Sequence, residues 1–515
     1  MNTVSFLAIP AGIVPEQEAL VFEGQRFTYA DTMARVRRLA GAMRALGVGR
    51  GTRVAGLHTN THRYVEAYYA TAMLGGVFIP VNYRAKRPEL EHMLRASQAK
   101  VLFVGERYLE HVTALRGGLP DLTHVIGFDF AAERGAYEAL LAAAVEHEEE
   151  ADVEDHETSI LMFTSGTTSL PKGVMLTYGD FTAYVTANVE LADGTPRGAA
   201  LLCAPLYHIA GATNMMTTLW TGRRLVVMPQ FEPQSWLELV EQEKVTHGFV
   251  VPTMMKHLLD QPEFARRDLS SLEVLSYGGA PMPFPVIRRA IEQFPKTVGF
   301  VNAFGQTETT STLTILGPED HRLEGTAEEI ERRTRRLKSI GRPLPDVEVR
   351  IRDEQGGVLG AGQVGEIEVR TPRVMKGYAG AKDSALTDDG WLPTRDLGWI
   401  DEDGYLYVAG RKDDMIIRGG ENIAPAEVES VVQAHPAVEE VAVVGVPDVE
   451  WGQRVAAFVV LRPGVQATAD ELGEFCRQRL ASFKKPEVIQ FLDELPKNPM
   501  GKILRRELRV QPGAS

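Results

Sequence analysis

The stretch FTSGTTSLPKGVM, residues 163–175, sets Thr164, Ser165, Thr167, Thr168 and Ser169 around Gly166, with Lys172 and Gly173 close behind. Residues of these types in this order suit phosphate. Glycine lets backbone N–H groups approach anionic oxygens, hydroxyls add donors, and a lysine adds positive charge. The apolar run SILMF comes just before, which predicts a loop at the carboxyl end of a strand, where α/β sheets bind ligands. The loop is not of the Walker A type. That pattern needs glycine before the lysine and Ser or Thr after it, whereas Pro171 and Gly173 flank Lys172. Alone, a loop of this composition is more often a plain connector, so its chemistry depends on its surroundings.

Those surroundings alternate between helix and strand. In FTYADTMARVRRLAGAMRALGVGRG, Thr28 and Asp31 stand at capping-box spacing. Met33, Val36, Leu39, Met43 and Leu46 then recur at helical spacing, and GVGRG ends the helix. Further on, GAALLCAPL, RRLVVM, THGFVV and LEVLSYGG read as short apolar strands between helical stretches. Such alternation predicts an α/β protein with mostly parallel sheets covered by helices. The acidic run 146–157 reads as a solvated linker, and 326–338 as an exposed helix with Thr326 and Glu329 at capping-box spacing.

Near residue 410 the texture changes. GRKDDMIIRGGENIAP is Gly-rich and charged, and helices over 425–434 and 469–480 follow, with strands between and after them. About a hundred residues suffice for a small α+β domain. The boundary is set at Asp413, giving an N-terminal domain over 1–412 and a C-terminal domain over 413–515.

With 515 residues the chain exceeds one ordinary core. Its formal net charge of -14 disfavours nucleic acid as a partner. Cys203 and Cys476 are the only cysteines, too few for a disulfide framework. There is no apolar run of the roughly 20 residues that a membrane span requires, and the first residues lack a secretory pattern. A cytoplasmic protein without an integral membrane segment is expected. The sequence sets no oligomeric state, and a homodimer is among those it allows.

Six more motifs follow the opening loop in chain order: PLYHIAG, SYGGAP, NAFGQTE, GWLPTRDLG, GRKDDMIIRGGENIAPAEVE and PKNPMGKILR. With FTSGTTSLPKGVMLT they closely resemble the motifs of the adenylate-forming superfamily of acyl-CoA synthetases, adenylation domains and luciferases. The likeness runs from about residue 20 to about residue 510. It implies a large domain of helix-covered mixed sheets and a small mobile domain carrying a catalytic lysine. It also implies a two-step reaction. A carboxylate attacks the α-phosphorus of ATP to give an acyl-adenylate and pyrophosphate; a thiol, usually that of coenzyme A, then displaces AMP. Since an anion must approach a polyanion, charge stabilisation is the main requirement.

The resemblance implies roles position by position. Thr164, Ser165, Gly166, Thr167, Thr168 and Lys172 would hold the β- and γ-phosphates. Glu308 would hold Mg²⁺, a hard cation that prefers oxygen ligands, and Thr307 would donate to the α-phosphate. Phe304 would stack on adenine where the family usually has tyrosine, with Asn302, Ala303 and Gly305 beside it in the motif. Gly279, Ala280 and Pro281 would line the adenine slot. Asp396 would accept from the ribose hydroxyls, with Arg411 nearby. Lys502 would bridge the acyl carboxylate and the α-phosphate, Asp413 would be the hinge, and Gly419 and Gly420 would let pantetheine pass. His208 would gate an acyl site near Ile209, Gly211, Ala212 and Asn214, with Pro252, Thr253, Thr309 and Thr310 elsewhere around it. Outside this context Glu308 would read as a surface acid, Phe304 as core, Lys502 as a solvated lysine and His208 as an ordinary polar residue.

Two positions depart from the family pattern. Ser169 and Arg395 stand where glycine is usual. Ser169 would cost about 1 kcal/mol if its position needs positive φ. Arg395 has three available fates: contact with AMP, pairing with an acidic neighbour, or disturbance of the nucleotide. The small residues near the gate suggest room for more than acetate. A medium- or long-chain fatty acid leads, followed by an aromatic or alicyclic acid. Transfer to a carrier-protein thiol instead of coenzyme A, and a non-catalytic nucleotide- or acyl-binding protein, are the alternatives.

Overall fold

The helix Tyr29–Ala45 begins as the spacing predicts. Thr28 Oγ1 accepts from Asp31 N at 3.0 Å, and Asp31 Oδ2 accepts from Thr28 N at 3.0 Å. Its face of Met33, Val36, Leu39 and Met43 is buried. The same reciprocal cap opens Tyr178–Asn188, Ala327–Arg336 and Ala469–Arg477, satisfying N–H groups that a helix start leaves unpaired. The computed structural model describes residues 1–130, 136–164, 170–381, 384–419, 421–497 and 503–509.

The chain forms two compact units. The first comprises Met1–Leu337, Pro343–Val347 and Arg370–Ala385. One of its sheets carries parallel strands in the order Thr158–Thr164, Val77–Pro80, Arg53–Leu57, Val101–Val104 and His124–Gly127. Lys172–Thr177 adds to Thr158–Thr164 in antiparallel fashion, and Gly377–Tyr378 extends that edge. The other sheet is parallel through Glu18–Phe22, Arg224–Val227, Ala199–Leu202, His247–Val250, Val274–Gly278 and Gly299–Gln306. Ser311–Leu316 then turns back against Gly299–Gln306. Helices cover these sheets, and strands buried on both faces explain the near-continuous apolar runs in the sequence.

The second unit comprises Lys338–Arg342, Glu348–Val369 and Leu386–Ser515. It contains the sheet Glu348–Arg352, Gly365–Arg370, Leu392–Ile400 and Leu406–Arg411. A three-stranded sheet follows, with Val438–Asp448 antiparallel to Gly452–Leu461 and Val488–Phe491 parallel to the latter. The helices predicted over 425–434 and 469–480 are Pro425–Gln433 and Ala469–Arg477. Val428, Val432, Val443, Val455, Val459, Leu472 and Cys476 form the core between them. Asp413 therefore falls inside the second unit.

The acidic run 146–157 is irregular, as a linker should be, yet its acids are not all turned to solvent. Glu146 pairs with Arg38 at 3.1 Å, Glu150 accepts from Ser5 Oγ at 2.9 Å, and Glu157 pairs with Arg50. Both cysteines are buried and form no disulfide. No helix among the described residues is long and apolar enough to cross a membrane.

Candidate active site

In the first unit the phosphate-type loop joins two paired strands, and Thr164 sits directly opposite Lys172 at its base. The Lys172 ammonium lies 5.5 Å from the ring centroid of Tyr378. The Tyr378 hydroxyl donates to Glu308 Oε1 at 2.9 Å. A cation and a carboxylate are thus held on two sides of one phenol. The Tyr378 hydrogen bond orients Glu308, and a side-chain oxygen donor of that kind fits Mg²⁺.

Glu308 occupies the one-turn helix Thr307–Thr309, directly after Gly299–Gln306. The chain reverses sharply here: Thr310 has φ of 52° and Ser311 of 85°. Any side chain on Gly305 would run into the Ser311 carbonyl, so this glycine serves the close approach of two strands. Phe304 is half-buried on the same strand, beside Asn302 and Ala303. Gly279 has φ of 78° and follows Val274–Gly278, with half-buried Ala280 and exposed Pro281 after it.

His208 caps the helix Ile209–Trp220, its ring 4.4 Å from that of Tyr207. Its Nε2 is buried and has no hydrogen-bond partner among the described residues; the same holds for Asn214 Oδ1 and Gln306 Nε2. Burial, followed by the charge of Arg84, pushes the imidazole down to about 4, so it is neutral at pH 7. Ala212 is buried one position beyond Gly211. Gly211 is small for a local reason, since a side chain there would strike the Pro205 carbonyl. Thr253 is half-buried in Pro252–Leu259. Thr309 is fully buried, and its hydroxyl donates to Gln306 O at 3.1 Å.

In the second unit Asp396 and Arg411 face each other across paired strands, with Arg411 Nε 2.7 Å from Asp396 Oδ1. Asp396 is 5% exposed. The neighbouring Arg395 has φ of 62° and pairs with Asp413, an acidic neighbour of the kind expected. Gly419 also has positive φ, 56°, and an added Cβ would come within 2.8 Å of the Trp451 ring. Ser165, Gly166, Thr167, Thr168, Gly420 and Lys502 lie outside the described residues, as does Ser169.

Reading the motifs alone missed Tyr378, Arg373 and Asp346. The hint for Arg373 was a cation in TPRVMKGY, a stretch that holds no acid to pair with it. Nothing local in the sequence marks Asp346 as its partner.

Comparison with known proteins shows the family of the chain. The AMP-binding enzyme family matches residues 11–379, and the AMP-binding enzyme C-terminal domain matches 427–502. A feruloyl-CoA synthase from Amycolatopsis sp. is 37% identical over 502 residues, covering 97% of this chain and 96% of that protein. The fatty acid–[acyl-carrier-protein] ligase ScoC of Streptomyces coeruleorubidus is 34% identical over 501 residues, covering 96% and 93%. The crystal structure of ATP-bound MatB from Rhodopseudomonas palustris superposes with a TM-score of 0.87 at 29% identity, covering 99% and 98%. The chain belongs to the AMP-binding enzymes, the adenylate-forming superfamily, and is an acyl-CoA ligase of the AMP-forming kind.

Proposed function

We propose that the protein activates a carboxylic acid bearing a polar group, foremost a ring-substituted aromatic acid, as its adenylate and passes the acyl group to coenzyme A. The observation that carries the reaction is the Lys172–Tyr378–Glu308 array at the base of the hydroxyl-rich loop. Lys172 and the loop hydroxyls would bind the β- and γ-phosphates, and Thr307 the α-phosphate. Glu308 would hold Mg²⁺, which when bound neutralises phosphate charge. Phe304 and the Gly279–Pro281 turn would receive adenine, and Asp396, steadied by Arg411, the ribose hydroxyls. Lys502 would supply a compact positive charge between carboxylate and α-phosphate. Asp413 would be the hinge between 1–412 and 413–515. Gly419 and Gly420 would leave room for pantetheine.

The polar acid is favoured over a plain alkyl chain by Asn214 Oδ1, buried without a partner on the helix that starts at the gate. Burying an amide oxygen unpaired costs about 1–3 kcal/mol. A hydroxyl or amine on the substrate would recover much of that, and an apolar chain would not. The 37% likeness to a feruloyl-CoA synthase points the same way. A medium- or long-chain fatty acid is the second reading, and a carrier protein the alternative acceptor; the likeness to ScoC favours both. The test is mass spectrometry of products from a panel of hydroxylated aromatic and alkyl acids with ATP, Mg²⁺ and coenzyme A. A hydroxylated aromatic thioester formed fastest is the expected result. Faster alkyl acids would move the assignment to the second reading. Adenylate without thioester would replace coenzyme A with a carrier.

A further inference from the structure

Two residues after Glu308, two successive non-glycine residues, Thr310 and Ser311, hold left-handed backbone. Such geometry persists only where the surroundings over-determine it. Here those surroundings are the segment 373–378. Arg373 is fully buried, with its Nε and Nη2 on the two oxygens of Asp346 at 2.6 and 3.2 Å. Its Nη1 donates to the carbonyl of Thr309 at 2.9 Å, and its guanidinium lies 5.2 Å from the Tyr184 ring centroid. Thr310 Oγ1 donates back to Arg373 O at 3.0 Å. Two residues on, Met375 N donates to Glu308 O at 2.8 Å, and Tyr378 then takes the carboxylate itself. Glu308 is therefore fixed through its own carbonyl, through its side chain and through the turn that follows it.

We propose that Arg373 is a positioning residue for the metal–nucleotide complex: locked by Asp346, it holds the Thr309–Ser311 turn and so sets the direction of the Glu308 carboxylate. The role needs the planar guanidinium, which serves a carboxylate with one edge and a carbonyl with another; a lysine has no such fork. Partners that orient a metal-binding side chain commonly set its affinity about 10- to 100-fold. The proposal rests on the reading of Glu308 as the Mg²⁺ ligand, and its test separates the two.

The experiment measures Mn²⁺ binding to the full-length protein with ATP present, by electron paramagnetic resonance, alongside the thermal midpoint and the Mg²⁺ dependence of turnover. The variants are Glu308→Gln, the charge-neutral double variant Arg373→Met with Asp346→Asn, Arg373→Lys, and Thr310→Gly. Thr310→Gly leaves the buried charges paired while removing the hydroxyl clamp and easing the backbone, so it carries the test if the double variant does not fold. Binding weakened about tenfold or more in Glu308→Gln and in the double variant is expected, with Arg373→Lys and Thr310→Gly between them and wild type. The Mg²⁺ requirement should shift more than turnover at saturating metal. Loss in Glu308→Gln with wild-type binding in the folded Arg373 and Thr310 variants would overturn the positioning role and leave the metal reading standing. Wild-type binding in Glu308→Gln would overturn the metal reading and the proposal with it.

Discussion

Arg395 lays its guanidinium along the carboxylate of Asp413, with Nε 3.0 Å from Oδ2 and Nη2 on Oδ1, while its backbone stands at φ 62°. The neighbouring charges divide in two directions. Lys412 pairs with Glu366 of the four-stranded sheet at 2.7 Å, whereas Asp414 pairs with Arg509 at 3.0 Å and Arg505 at 3.8 Å. Lys412 and Asp413 thus hold to the sheet, and Asp414 holds to the C-terminal residues. The proposed hinge residue, Asp413, stands at this changeover.

Arg395→Gly should consequently change two things in opposite senses. It relieves a left-handed side chain, about 1 kcal/mol, and it removes a half-exposed ion pair of about 0–1 kcal/mol. Global stability should move by less than about 1 kcal/mol, while amide exchange over 412–415 quickens. Unchanged exchange would mean that the pair does not hold the connection.

Acid should destabilise the fold through its buried histidines. His62 is wedged between Phe22 and Phe27, with centroids 5.3 and 4.9 Å away, and burial pushes it down to about 3. Burial pushes His208, His247 and His321 down to about 4. Each stays neutral in the fold while the unfolded chain gains a proton near 6.5, so stability falls as pH drops from about 6.5 toward about 4. Asp180 works the other way. Burial raises it to about 6, so its folded form binds a proton first and its contribution grows as pH falls from about 6 toward about 4. The urea midpoint of His62→Leu, relative to wild type, should be higher at pH 5 than at pH 8. An equal difference at both pH values would remove burial of His62 as a cause.

The helix pairing in the first unit depends on a buried charge. Glu66 is fully buried, bonded to Arg35 at 2.7 and 3.1 Å and to the Tyr137 hydroxyl at 2.7 Å. Burial is the largest influence on its carboxyl and raises it, against the opposing pull of Arg35. Glu66→Leu should cost about 3 kcal/mol by leaving Arg35 half-partnered, and adding Arg35→Met should recover much of the loss. Calorimetric midpoints of the single and double variants check this.

Gly211→Ala should disturb the turn that carries His208. The added methyl meets the Pro205 carbonyl, which already accepts from His208 N at 3.0 Å. A loss of about 1–3 kcal/mol is expected, with the KM for the acid raised more than the KM for ATP. Equal effects on both would detach this turn from the acyl side.

Much of the fold was legible because its signals are local. The caps at Thr28 and Thr326 and the apolar period of Tyr29–Ala45 are short-range patterns, and each element forms where its pattern lies. The motif residues were legible as types, but their partners were not. Arg373 meets Asp346 and Glu308 meets Tyr378 across 27 and 70 residues, distances at which spacing carries no information. Arg395 illustrates the same limit: its departure from glycine was visible in the sequence, yet its partner 18 residues on was not. Gly211 shows the converse, a small residue read as pocket space that serves a backbone contact.

The most direct measurement is ATP–pyrophosphate exchange over a panel of carboxylic acids, with Mg²⁺ and without coenzyme A. Exchange that requires an acid, and is strongest for a hydroxylated aromatic one, is the expected result. Nucleotide binding with no exchange for any acid in a broad panel would contradict adenylation by this chain.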